Sequence, residues 1–159
     1  MSVGGNAPHR SDWSFRNLYH IVAELGTGYV GRSLPTCYEA RTPGLCFMNA
    51  TEDMWHDGRK TLRYCEGYVL PGDVELPIAH AWCVDSDGLV VDTTLADPVG
   101  WEYYGVLLRR DYVYKTITDG GYYGVLDNWQ DRWPLLSGSH HWEDAVILRG
   151  PLAERSETR

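Results

Sequence analysis

Basic residues are scarce in this chain. Fourteen Lys and Arg stand against 22 Asp and Glu, a formal charge of 14 − 22 = −8, and no run of Lys or Arg interrupts the balance. Nucleic acid and anionic membranes both call for a basic face, so neither is the expected partner. Long apolar stretches are missing too, the longest reaching only about four residues. That predicts neither a membrane span nor a signal-peptide core, and by default a cytoplasmic location. No CxxC pair occurs, which removes the main support for a structural zinc site. The four cysteines, Cys37, Cys46, Cys65 and Cys83, match no small disulfide scaffold, and 159 residues can bury a core without cross-links. They are read as thiols, and no metal or cofactor is expected.

Phenylalanine is nearly absent, with two residues beside seven Trp and 11 Tyr. Such rings fill a core while their polar tips reach a partner, and they can also wall a cleft for an extended ligand.

The chain reads as one domain over residues 11–150, with a small, polar, glycine-rich arm at 1–10 and a polar tail at 151–159. SDWSFRNLYHIVAELG (11–26) has helical period through Trp13, Leu18, Ile21, Val22 and Leu25, with Ser11 or Asp12 to cap its start and Gly26 to end it. Residues 27–44 read as irregular. LCFMNATEDMWHDG (45–58) predicts a second helix, opened by Pro43-Gly44 and given an apolar side by Phe47, Ala50, Met54 and Trp55. TLRYCEGYVL, the segment HAWCVDSDGLVVDTT, EYYGVLL and AVIL read as strands, and RRDYVYKTITDGG as a short helix or strand. Helices precede a run of strands, so the expected class is α+β. YYGVL occurs twice, too short a repeat to define an architecture. His140-His141 reads as surface loop.

HAWCVDSDGLVVDTT (80–94) carries a histidine and an aspartate in otherwise apolar strands. Strand side chains alternate between faces, so the parity of the pairing decides whether the two meet. A two-residue turn sends Asp92 away from His80. A loop of Ser86-Asp87-Gly88 sets Asp85 against Leu89, Val84 against Val90 and Trp82 against Asp92, which makes His80 and Asp92 diagonal neighbours. A three-residue hairpin loop wants its last residue left-handed, and that residue is Gly88. The same register leaves Ala81, Cys83, Val91 and Thr93 for the opposite face.

An imidazole–carboxylate pair becomes catalytic only with a nucleophile. Cysteine attacks as thiolate, which a helix N-terminus or an adjacent imidazolium favours. Cys46 lies in the first turn of the second predicted helix, whereas Cys65 and Cys83 lie inside strands and Cys37 in a proline-bounded loop.

Gly44-Leu45-Cys46 with the small Ala50 four residues on, then His80-Ala81-Trp82, then VVDTT together resemble the transglutaminase-like branch of the papain-like cysteine protease superfamily. The match runs from Gly44 to Leu95, about a third of the chain, and departs at Thr93, where the family commonly has proline. The resemblance implies a papain-like, transglutaminase-like core: N-terminal helices, the nucleophile at a helix start, and an antiparallel sheet. It implies Cys46 as nucleophile, His80 as base and then acid, and Asp92 as the residue that orients the imidazole. The Cys46 backbone amide could serve the oxyanion. Asn49, Tyr64, Glu66 and Trp82 are candidates for the substrate-binding wall. Glu66 in a buried strand needs a reason, such as a substrate amine or a backbone amide to bind.

The function expected is a thiol hydrolase or acyltransferase acting on a peptide, protein or small amide, of peptidase, amidase, deamidase or transglutaminase type. A binding module of the same fold, with an aromatic cleft and no turnover, is the alternative. Metal held by Cys46, His80 and Asp92, or with Cys65 and Cys83, would rest on one histidine and ligands on scattered elements.

Overall fold

The computed structural model describes residues 13–148, so the predicted arm, the predicted tail and the caps Ser11 and Asp12 lie outside the described residues. The class is α+β. Helix α1 (Leu18–Leu25) leads into strand β1 (Thr27–Val30), then α2 (Cys46–His56), β2 (Arg63–Leu70), β3 (Ile78–Val84), β4 (Val90–Val91) and β5 (Glu102–Leu108). Helix α3 (Arg110–Gly120), the short α4 (Pro134–Ser137), a 3-10 turn (Trp142–Asp144) and β6 (Val146–Ile147) complete the order. The strands make one antiparallel sheet in the order β1-β5-β2-β3-β4, and β6 also pairs with β5. No helix among the described residues is long and apolar enough to cross a membrane.

Alternation along the strands sorts the core into two halves. Tyr64, Ala81, Cys83, Val91, Val106 and Leu108 face the helices and pack with Ile21 and Val22 of α1, Ala50 and Met54 of α2, and Val113 and Ile117 of α3. Cys65, Val69, Trp82, Val84, Val90, Tyr103 and Leu107 form a second cluster on the reverse face. With both faces covered, β2 and β3 carry apolar residues on each side.

Two expectations change. The first helix starts at Leu18, not at residue 11, because the Asn17 side chain accepts the His20 amide at 2.9 Å and caps it there. Thr27–Val30 is a strand, not irregular chain; its four residues pair with Glu102–Gly105 of β5, a partner distant in sequence that no local pattern announces. RRDYVYKTITDGG resolves to helix, closed by Gly121 in the left-handed region (φ 74°).

Gly67 of β2 and Gly105 of β5 stand directly opposite one another. A Cβ on Gly105 would lie 2.5 Å from Cη2 of Trp82 and 2.9 Å from Sγ of Cys65; one on Gly67 would run into the Tyr104 carbonyl. The bare Gly105 makes room for the Trp82 indole, and the bare Gly67 lets the β5 backbone come close.

Candidate active site

The hairpin has the register that its turn residues require. Val84 pairs with Val90 and Cys83 with Val91, while the Asp85 amide donates to Leu89 O at 2.9 Å. Gly88 takes φ 81° at the end of the turn. The Asp85 carboxylate accepts the Asp87 and Leu89 amides, both at 2.9 Å, and so holds the loop from inside.

His80 and Asp92 consequently share a face. Nε2 of His80 lies 2.7 Å from Oδ2 of Asp92, with both residues 4% exposed. Asp92 has three further donors: the Tyr103 hydroxyl reaches Oδ2 at 2.8 Å, and the Thr94 and Leu95 amides reach Oδ1 at 2.9 and 3.1 Å. The imidazole lies nearly parallel to the Trp82 ring, with centroids 6.1 Å apart and planes at 15°. Tyr103 in turn packs edge-on against Trp82 at 4.9 Å.

Cys46 is the first residue of α2 and is half-buried. Its first-turn amides have no intrahelical partner, since the ladder begins with the Asn49 amide donating to Leu45 O. Cys46 is among the groups that raise the His80 pKa, which puts its side chain in the neighbourhood of the ring. Nε2 is taken by Asp92, which leaves Nδ1 for the thiol. Burial alone would lower the pKa of His80, but the bonds and charges of Asp92 and Cys46 prevail and raise it to about 9. Burial would raise the pKa of Asp92, yet the His80 bond and charge, with the Thr94 and Tyr103 bonds, hold it below the ordinary carboxylate value. Both directions favour an imidazolium–carboxylate pair at neutral pH.

The four candidates for the site wall are all buried. Both donors of the Asn49 side-chain amide are committed at 2.9 Å, to Thr42 O and Thr94 Oγ1, so this residue fastens the helix start to the turn that holds Asp92. Thr93 adds a bond to Asp53 of α2 at 2.5 Å. Tyr64 donates to Glu66 at 2.7 Å, and Glu66 accepts the backbone amides of Val125 and Asp127. Trp82 is 1% exposed beneath the imidazole. These side chains shape the site from below and meet no solvent surface of any size.

Tyr103 is the site residue that sequence reasoning missed. EYYGVLL reads as a strand, but which of its two tyrosines faces Asp92 depends on the pairing of β5 with β2, which no local signal provides. All four cysteines are free; Cys65 and Cys83 are buried and Cys37 is exposed. Among the described residues, no three or more His, Cys, Asp or Glu side chains are grouped as a metal site. His140 lies on the surface with Nδ1 2.8 Å from the Tyr112 hydroxyl.

No family model, curated protein or solved structure matches the chain.

Proposed function

We propose that the protein is a thiol-dependent hydrolase or acyltransferase of the transglutaminase-like, papain-like kind, working on an amide through Cys46, His80 and Asp92. The observation that carries this reading is the buried 2.7 Å His80–Asp92 pair, with Cys46 at the start of α2 in its neighbourhood. A core of helices on an antiparallel sheet, with the thiol at a helix start, agrees with it.

The thiolate sulfur of Cys46 bonds to the amide carbonyl carbon, and the carbonyl electrons move onto oxygen. The free Cys46 amide at the helix start can donate to that oxyanion. On collapse the C–N bond breaks, and the leaving nitrogen takes the proton that His80 carries at Nδ1. The neutral imidazole then removes a proton from water, or from an amine, as it attacks the thioester; the acyl group departs and the thiolate–imidazolium pair returns. Asp92 is a positioning residue throughout, keeping Nε2 protonated and the ring aimed at sulfur.

The test is alkylation by iodoacetamide, with each modified cysteine located by mass spectrometry and exposed Cys37 as internal reference. Cys46 reacts faster than Cys37 at neutral pH, and His80→Ala removes the advantage. Amide substrates and amine acceptors are then screened, with Cys46→Ala as the blank. A Cys46 no more reactive than Cys37 would overturn the proposal and leave a binding module of this architecture.

A further inference from the structure

Cys46, Asn49 and Asp53 follow one another along α2 at spacings of three and four, so they form one stripe that begins with the thiol. Asn49 and Asp53 lie about 4.5 Å and about 10.5 Å further along the helix axis. Both meet the turn that follows Asp92. Nδ2 of Asn49 donates to Oγ1 of Thr94 at 2.9 Å, and Oδ2 of Asp53 accepts from Oγ1 of Thr93 at 2.5 Å.

The segment before α2 is tied into the same joint. Arg41 donates its backbone amide to Thr93 O at 2.7 Å and its Nε to Oδ1 of Asp53 at 2.6 Å, while Nη1 reaches Glu52 at 2.9 Å. Arg41, Asp53 and Thr93 thus close a ring in which each residue is bonded to the other two. Asn49 makes a parallel link one helical turn nearer the thiol, since it holds Thr42 O as well as Thr94. Two consecutive loop residues and two consecutive turn residues are therefore stitched to two points on the stripe. A single point would let α2 pivot about it; two points fix both its rotation and its advance. Asn49 and Thr93 are buried, and the Asp53 side chain is 8% exposed.

Resting on the acyl-transfer reading above, we infer that Arg41, Asp53 and Thr93 are positioning residues, whose ring of bonds sets α2 in register with Asp92 and so brings Cys46 to His80. The ring acts on two members of the site at once. It holds the helix that carries the thiol, and it holds the residue between Asp92 and Thr94, whose amide Oδ1 of Asp92 accepts. Removing the Thr93 hydroxyl leaves a nearly buried carboxylate oxygen short of its donor. The turn then keeps only its Asn49 bond to the stripe, and α2 can rotate about it. Serine at this position keeps the hydroxyl and the ring.

The test is the pH profile of Cys46 alkylation by iodoacetamide on the full chain, read by mass spectrometry in Thr93→Val, Thr93→Ser and Arg32→Ala. Valine matches threonine in shape and lacks only the hydroxyl. Arg32 is the control: it bonds Asp85 at 2.7 Å and Val90 O at 2.6 Å near the turn of the hairpin, so its loss weakens the fold without reaching the ring. The native profile has its midpoint below the ~8.5 of a free thiol. Thr93→Val moves it up by about one pH unit or more, as a thiolate does when its counter-charge recedes; Thr93→Ser and Arg32→Ala keep the native midpoint. A native midpoint at the free-thiol value would bring down the acyl-transfer reading itself, and this inference with it. A low native midpoint that survives in Thr93→Val would overturn the positioning role alone. An equal rise in Arg32→Ala would do the same, because the effect would then follow stability and not register. Should Thr93→Val fail to fold, Arg41→Ala, which opens the same ring at a half-buried position, decides by the same criterion.

Discussion

Asp92→Asn changes one oxygen to nitrogen and reverses the chemistry of the pair. Oδ1 of Asp92 accepts the Thr94 and Leu95 amides, so the asparagine oxygen must take that position. Its NH₂ then occupies the position of Oδ2 and points at Nε2 of His80 and at the Tyr103 hydroxyl. To accept that N–H the imidazole must carry its only proton on Nδ1, facing the thiol, where it can no longer serve as base. In the native protein the ring's pKa rises from 6.5 to about 9. The 2.5-unit difference is worth about 3 kcal/mol in favour of imidazolium, and leaves about one ring in a hundred neutral at pH 7. Losing an adjacent opposite charge lowers a histidine pKa by about 1–3 units. Turnover falls further, by about 10⁴-fold, as when other triads lose the correct tautomer. Long-range ¹H–¹⁵N spectra of the histidines report both tautomer and titration, and iodoacetamide reports the thiol. An Asp92→Asn ring that still titrates near 9, or a native ring that titrates at or below 6.5, would refute the reasoning.

The other predictions concern what surrounds the pair. Tyr103→Phe removes a 2.8 Å bond to a buried carboxylate and lowers stability by about 1.5–3 kcal/mol in urea unfolding, with Cys46 still reactive. Gly105→Ala drives a methyl against the buried Trp82 indole and costs about 1–3 kcal/mol, and the displaced indole shifts the His80 ring resonances. In Cys46→Ala no thiol exchanges a proton with the ring, so the contribution of His80 to the pH dependence is read without Cys46. Its folded pKa is raised, so the stabilisation is complete below about 6.5 and is lost as pH rises through the folded value, which lies below 9 once Cys46 no longer contributes. His80 therefore lowers the stability of this variant in urea unfolding by up to about 3 kcal/mol from pH 6 to pH 9, and the raised pKa of buried Cys83 adds to the loss toward pH 9; stability that rises over that range would contradict the shift.

Local chemistry made the centre of the site legible. Gly88 announces the left-handed turn residue, the turn sets the parity, and the parity brings Asp92 to His80. Pro43-Gly44 before an apolar period likewise marks the helix whose first residue is Cys46. What was hidden depends on pairings between distant segments. Tyr103 reaches Asp92 only because β5 lies beside β2 in one particular register. The loop amides that satisfy Glu66 come from 59 and 61 residues away and belong to no regular element. The oddity of a glutamate in a buried strand was visible, and a backbone amide was one of the partners it called for; which amides answered was not.

The grip of Glu66 on its loop is blind to side chains, because it holds main-chain N–H groups. The grip itself asks only that neither 125 nor 127 be proline, which has no N–H; what restricts their side chains is the burial of Val125 in the core and the bond from Trp133 to Asp127. Leu126, between the two anchors, is carried with them into the core, so one carboxylate on the sheet fixes the path of a loop that has no regular structure of its own.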